Sequence, residues 1–388
     1  MIFMKKNNNK FRSKYRLLFI ALISMLAYSC VKEIQPDIEI YDTEKVVVSG
    51  IFTDEVGPQE VVVSLSSGIS SPMRIFVEHC NVKVIRSDNS ELVYFEQGPG
   101  VYVANVDIAF IDKSQSYKVQ VKTPQGAIIE SSFEGFSSCA EVGDVYWRTQ
   151  GDEGSSIIGY QFYTDMHASE SESKYYLYKI VETFEHHSPY PLEYWWNGHM
   201  NRVEPPDFSK MYCWITRDIY DIFPLSTKDF SENIYNEYQL NYTNNISQRL
   251  QHLYSLLIKQ YSISELAYDY WAQMRLNLHQ SGGMYNTQPV QVKGNLSYTT
   301  ISDKEVLGYF GVSEVKEKRI FVPPSPFTII DNSCNIRILR FGYREINWRE
   351  YPAYIYSEMG IPQAKVMDKP CVDCTKMGGV IQKPIFWP

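Results

Sequence analysis

The chain has 388 residues, 44% of them hydrophobic and 21% charged, with a formal net charge of −8 and seven cysteines. That length supplies two ordinary domains with full cores, so no staple is needed merely to fold. Ordinary apolar and charged content excludes a disordered chain, 21 glycines exclude a collagen-like repeat, and the acidic balance argues against nucleic acid as a partner.

Residues 1–29 read as a secretory leader. Lys5, Lys6, Lys10, Arg12, Lys14 and Arg16 form a basic start, with no acidic residue before Cys30. The apolar run from Leu17 to Ala27 is shorter than the ~20 residues of a spanning helix and suits a signal core. Met4 would serve equally well as the first residue. The run ends Leu26-Ala27-Tyr28-Ser29-Cys30, which resembles the bacterial lipobox. The resemblance implies cleavage before Cys30 and lipidation there, so that several acyl chains hold the protein to a membrane. The alternative is a plain secretory signal with an incidental cysteine. Loss of the leader strips six basic residues and leaves 31 against 45 acidic ones, so the 359-residue mature chain carries about −14. Such a surface is held at a membrane by its anchor and not by charge. Residues 30–45 are polar, acidic and broken by Pro36, as a tether would be. Within them, Val31-Lys32-Glu33 resembles the short signals that send some Bacteroidetes lipoproteins to the outer face of the outer membrane.

From Val46 the pattern turns to period two. Strands are expected at 46–52, 60–65, 81–86, 92–95, 101–106, 117–122 and 127–133. Turn signals such as Ser87-Asp88-Asn89-Ser90 and Pro124-Gln125-Gly126 separate them. Seven short strands without a helix predict an immunoglobulin- or prealbumin-like β-sandwich over 46–136. A boundary near 135–143 then opens a larger β-rich domain, 137–388, with one or two helices. Its expected strands include 160–164, 174–184, 211–216, 319–322 and 335–343, with Tyr146-Trp147 also on a strand. Polar, proline-bearing segments at 186–191 and 205–210 read as separators. Ser264 is a good N-cap, and Ala267, Trp271, Met274 and Leu278 share one face, which predicts a helix over 264–279 ended by Gly282-Gly283. That face is expected to cover a sheet. Ile246, Leu250, Leu253 and Leu257 keep the same spacing and predict a shorter helix over 246–259.

With Cys30 assigned to lipid, Cys80, Cys139, Cys213, Cys334, Cys371 and Cys374 remain, an even six that favours disulfides in an exported protein. Six cysteines allow 15 connectivities. A Cys80–Cys139 bridge would clamp the sandwich to the linker, and the other four would staple the second domain and its tail. Pairing Cys213 or Cys334 into the tail closes a longer loop than Cys371–Cys374, and chain entropy favours the longer one. A zinc site from those four lacks a second Cys-x-x-Cys knuckle. The Cys-x-x-Cys also sits in a Pro/Gly-rich tail, unlike a thioredoxin motif.

No Gly-x-Ser-x-Gly, Walker loop or His-Glu-x-x-His occurs, so no catalytic residue, metal ligand or cofactor is assigned. His186, His187 and His199 lie among Glu182, Glu185 and Glu193. Adjacent histidines on a strand would face opposite ways, and a solvated loop is the expected setting. The segment Tyr190 to Met200 is the most suggestive. Tyr190, Tyr194, Trp195 and Trp196 offer flat apolar faces with polar edges, suited to sugar stacking or a protein interface, or else they fill the core. Pro189, Pro191 and Gly198 favour a loop or short hairpin over a central strand.

The second half carries recognisable wording. Gly282-Gly283, Gln288-Pro289, Val292-Lys293-Gly294-Asn295, Val306-Leu307-Gly308-Tyr309-Phe310 and Lys318-Arg319-Ile320-Phe321 follow in order. The chain closes with Cys371-Val372-Asp373-Cys374, Gly378-Gly379 and Lys383-Pro384-Ile385-Phe386-Trp387. This order resembles an uncharacterised family of Bacteroidetes outer-membrane lipoproteins over nearly the whole mature chain, with Ile385 where that family usually has Asp. The resemblance implies a non-enzymatic accessory of a TonB-dependent β-barrel transporter, acting in docking or substrate capture, and it supplies no ligand. Two alternatives stay open. One is a free-standing surface binder of glycan or peptide through the Tyr190–Met200 rings, and the other is a structural component of the envelope.

Overall fold

The computed structural model describes residues 45–67, 73–151, 154–280, 291–300, 304–356 and 364–388. The leader, Cys30, the tether up to residue 44, Gly282-Gly283 and Gln288-Pro289 lie outside the described residues.

Alternating apolar residues build the first sandwich from β1 (Val46–Thr53), β2 (Gly57–Leu65), β3 (Ile75–Phe76), β4 (Asn81–Arg86), β5 (Glu91–Gly98), β6 (Val101–Val106), β7 (Ser116–Lys122), β8 (Ile128–Ser131) and β9 (Glu134–Gly135). The first half of β5 pairs with β4 and the second half with β6, so one hydrogen-bonded path folds over into two layers. Val48, Phe52, Val61 and Tyr102 from one layer meet Val82, Val84, Tyr117, Val119 and Val121 from the other, all buried. Fully burying such side chains contributes about 1.5–3 kcal/mol each before the entropy of ordering is subtracted.

The chain then forms β10 (Val145–Gly151), β11 (Ile158–His167), β12 (Tyr175–His187), β13 (Leu192–Trp196), β14 (Met200–Asp207), β15 (Tyr212–Ser226), β16 (Ile234–Asn244), β17 (Tyr254–Ser262) and helix α1 (Glu265–Gln280). After it come β18 (Leu296–Tyr298), β19 (Leu307–Ser313), β20 (Val315–Val322), β21 (Ile336–Ile338), β22 (Ala353–Tyr356) and β23 (Lys365–Met367). The sheets β10-β11-β16 and β15-β12-β17-β20 enclose a second core that includes Phe162, Met166, Tyr178, Ile180, Phe223 and Leu256. A third, smaller sheet runs β14-β13-β22-β23-β21.

The first sandwich does not close within residues 46–136. β18 pairs with β8, and β19 lies parallel to β1, so these two later strands return to finish both layers. Gly308, at φ +100°, permits this return. A Cβ there would collide with the Val48 carbonyl oxygen, and one on Gly294 would collide with the Gly308 carbonyl. Asn295 holds the strand in place, its amide donating to Phe310 O at 2.7 Å while its oxygen accepts from Phe310 N at 3.0 Å.

Three expectations are corrected. The helix expected over 246–259 is one short 3-10 turn, Gln248–Leu250, followed by β17. Ile246, Leu250 and Leu253 belong to the turn and connection ahead of β17 and only Leu257 lies on the strand, so the helical spacing runs across two different elements. The expected strand over 335–343 is only β21, and the chain then turns through Gly342–Glu345. Cys80 and Cys139 are free thiols, and the bridges are Cys213–Cys374 and Cys334–Cys371. Cys80 is half-buried, bonded at its N–H to the Tyr102 hydroxyl, whereas Cys139 is buried beside Gln260 in the second core. The α1 prediction agrees to within a residue at each end. Ser264 caps it, accepting from Ala267 N at 3.1 Å, and Ala267 and Tyr270 are buried, but Leu278 is 53% exposed.

Gly308→Ala is expected to cost at least about 2 kcal/mol, because left-handed strain and a backbone collision add together. A urea titration in which this variant matches the wild type would contradict the close approach. In a non-reduced digest, peptides joined through Cys213–Cys374 and Cys334–Cys371 should appear. Iodoacetamide should reach Cys80 in the native protein and Cys139 only after unfolding, and a Cys80–Cys139 peptide would contradict the assignment.

Candidate functional site

The aromatic segment is the first arm of a short hairpin, one of the expected settings, but that arm is also a central strand, paired on both sides. β13 pairs with β14 through Tyr194↔Arg202 and Trp196↔Met200, and with β22 through Tyr194↔Ile355 and Trp196↔Ala353. Side chains alternate across it, so Trp195 and Trp196 point to opposite faces. Tyr194 and Trp196 pack on Leu339, Ile346, Ala353, Ile355 and Val366. Tyr190 and Trp195 pack on the other side against Tyr354, Met367, Cys371 and Val372, with Tyr190 edge-on to Tyr356 at 5.0 Å. All four rings are half-buried. The structure therefore splits the candidate set, and Trp196 reaches an open cavity.

That cavity is a hollow of about 580 Å³ lined by Trp196, Gly198, Phe341, Tyr343, Arg344, Ile346 and Tyr351. Trp196 lies parallel to Tyr343, with ring centroids 4.8 Å apart and an 18° interplanar angle. Phe341 is 83% exposed at its rim. Nearby in the chain, Trp348 is 71% exposed with the Arg349 guanidinium 5.4 Å from its ring. Gly198 (φ +103°) makes the β13–β14 turn that opens the hollow on one side. The lining offers ring faces, two phenol hydroxyls and one guanidinium. Such a surface can stack on a flat apolar face and hold a polar or anionic edge. Phe341, Tyr343 and Trp348 were missed by the sequence reading, since 335–343 read as strand and these rings sit in short turns.

The histidines divide as well. His186 is buried, and burial lowers its pKa. His187 bonds Glu185 at 2.6 Å and stacks on His252 at 3.6 Å, and His199 is exposed at the hairpin turn. The solvated loop expected from residue 186 is thus the end of β12. Glu182 is buried as a structural ion pair with Arg217 and Arg249, and it accepts from the Tyr254 hydroxyl at 2.7 Å. Among the described residues, no group of three His, Cys, Asp or Glu is placed to hold a metal ion. The tail motif is structural too. Asp373 caps a 3-10 turn at Thr375 N, and Gly379 lies so close to Cys213 that a Cβ would not fit.

A second cavity of about 520 Å³ separates the outer face of β1–β2 from the β12–β15–β17 face. It is lined by Lys179, Lys259, Glu55, Glu60, Asp218 and Asp221, with Tyr261, Tyr220 and Trp271 among its aromatic walls.

The chain matches the family described as Domain of unknown function (DUF4249) over residues 31–319, and it belongs to that family. The matched stretch stops short of the Cys371–Trp387 ending. No curated protein matches the chain. Among solved structures, a DUF4785 family protein from Legionella pneumophila is similar at 12% identity and a TM-score of 0.16. That likeness covers 55% of this chain and 51% of the other, so the chain spans about half the length of that protein.

The two kinds of ring should separate by stability. Trp195→Ala and Trp196→Ala are each expected to cost about 2–3 kcal/mol, below the full core value because both are half-buried. Phe341→Ala and Trp348→Ala should stay within about 0.5 kcal/mol of wild type. Thermal denaturation checks this, and equal losses for all four would show that the rim rings serve the fold.

Proposed function

We propose that this DUF4249 protein is a non-enzymatic lipoprotein of the bacterial outer membrane, anchored through Cys30, that works beside a TonB-dependent transporter in docking or substrate capture. The observation that carries the capture role is the aromatic hollow, whose described lining supplies stacking faces and one cation. Placing it on the small third sheet leaves the two sandwiches as a rigid support, and the tether gives the body reach from the membrane. The lipobox resemblance supports the anchor, and the order of motifs in the second half supports the transporter setting. A surface-facing position agrees with the Val31-Lys32-Glu33 segment.

A second reading, a free-standing binder of surface glycan, is favoured by the parallel Trp196–Tyr343 pair beside exposed Phe341, since a sugar face stacks on such a platform.

Affinity purification of the full chain from detergent-solubilised outer membranes is expected to recover a large β-barrel in near-equal amount. Phe341→Ala with Trp348→Ala should reduce that recovery if the hollow docks the barrel. Recovery of the lipoprotein alone would overturn the transporter reading, and glycan binding by that lone protein would favour the second. Cys30→Ser should abolish palmitate labelling and release the protein from the membrane fraction.

A further inference from the structure

The second cavity gathers charges of both signs, three of them without an ion-pair partner among the described residues. In the ladder between β12 and β17, Lys179 lies directly opposite Lys259, and like charges so placed repel. Lys259 is relieved by Glu317 and, at 3.6 Å, by Glu55. Lys179 has no ion-pair partner among the described residues; the Tyr261 ring lies 5.4 Å from its ammonium, and the carboxylates of Glu60 and Asp218 act on its charge without contact. Lys179 is exposed to the cleft, and desolvation by the groups around it lowers its pKa.

Two carboxylates share the same space. Glu60 and Asp218 line the cleft, are exposed to it, and likewise have no ion-pair or hydrogen-bond partner among the described side chains. A purely structural arrangement would bring Lys179 onto one of them. Instead no ion pair forms between Lys179 and either carboxylate, which act on its charge only through space, and apolar Ile51, Val62, Val181 and Ile219 line the same cleft.

The geometry points to this cleft as a binding site for a small dipolar ligand, a short peptide with free ends, whose carboxylate meets Lys179 and whose ammonium meets Asp218 and Glu60. A simple anion fits less well, because Glu55, Glu60, Asp218 and Asp221 outnumber the two lysines. A neutral apolar ligand would leave all three unpaired charges desolvated, which costs free energy without compensation. The cavity of about 520 Å³ lies within the usual ~300–1,000 Å³ range of small-molecule sites. This site is separate from the aromatic hollow and does not depend on the transporter reading.

The test uses the full chain in detergent and an equimolar library of free tripeptides, read by native mass spectrometry and then by calorimetry on the captured members. Free peptides should bind, while their C-terminal amides and N-acetyl forms should each bind at least tenfold more weakly. Lys179→Met should weaken the free acid to the level of the amide and leave the amide unchanged, and Asp218→Asn should do the same for the acetylated end. Because Lys179 opposes Lys259, its replacement by Met or Gln should leave the melting temperature unchanged or raise it. Capture of no tripeptide, equal binding of the amides, or a clear loss of thermal stability in both Lys179 variants would overturn the assignment.

Discussion

The fold depends on the return of one strand. β19 lies beside β1 only because Gly308 and Gly294 carry no Cβ where two backbones touch. Once it is there, Tyr309 points outward from the sandwich into the seam with α1 and donates to Glu134, which also accepts from Ser264 and Asn295 at 3.3 and 3.4 Å. Ser264 is the helix cap, so a single buried carboxyl joins the end of the first sandwich, the start of the helix and the returning strand. Burial raises the pKa of Glu134, and the Tyr309 hydroxyl opposes that shift. The folded state therefore favours the protonated acid. That contribution is fully present below the ordinary glutamic value of about 4.3 and is lost as the pH rises through the raised one.

The third sheet poses a different problem. Its strands are short, two of them only three residues long, and such a sheet cannot bury enough area to hold itself. Two bridges supply what its core lacks. Cys213–Cys374 spans 161 residues and ties the tail to β15, and Cys334–Cys371 spans 37 and closes the sheet against its own end. In the chain-entropy picture these constrain the unfolded state by about 5 and 4 kcal/mol at most. The Trp214↔Val380 bridge extends the same seam in hydrogen bonds. The hollow is thus built on an element fixed by covalent links, which keeps Trp196 and Tyr343 in register without a large core beneath them.

Much of the first sandwich was legible because its strands are half-buried and alternate cleanly. β4 and β6 match their expected bounds to the residue. Helical spacing misleads where it strings together separate elements, as Ile246, Leu250 and Leu253 ahead of β17 do with Leu257 on it. The pairing of cysteines was legible only in part, since loop length ranks pairings but geometry decides them. Three of the 30 tyrosines show what such a residue adds to a core. Tyr102, Tyr117 and Tyr254 are fully buried, yet their hydroxyls meet Val77 O, Phe110 O and Glu182 at 2.9, 3.0 and 2.7 Å. Each fills the core with a ring and pins a loop or charge with its tip. The aromatic segment is visible as composition, but its split across two faces requires the sheet, and Phe341 and Tyr343 lie where a strand pattern runs on past the end of β21 into a turn.

The motifs that made the second half recognisable bear on where function lies. Gly294, Asn295, Gly308 and Tyr309 hold β19, while Cys371, Asp373, Cys374 and Gly379 hold the tail. Each has a structural task that a substitution would break through packing or backbone collision. None lines the hollow or the cleft. Residues that do line them, such as Phe341, Arg344, Lys179 and Asp218, include charges without partners and a ring in solvent, which a stability argument alone would remove. A scaffold kept rigid by backbone contacts and disulfides can change those residues with little effect on its fold. The recognisable wording therefore reports the architecture, while the residues of the hollow and the cleft are set free of it.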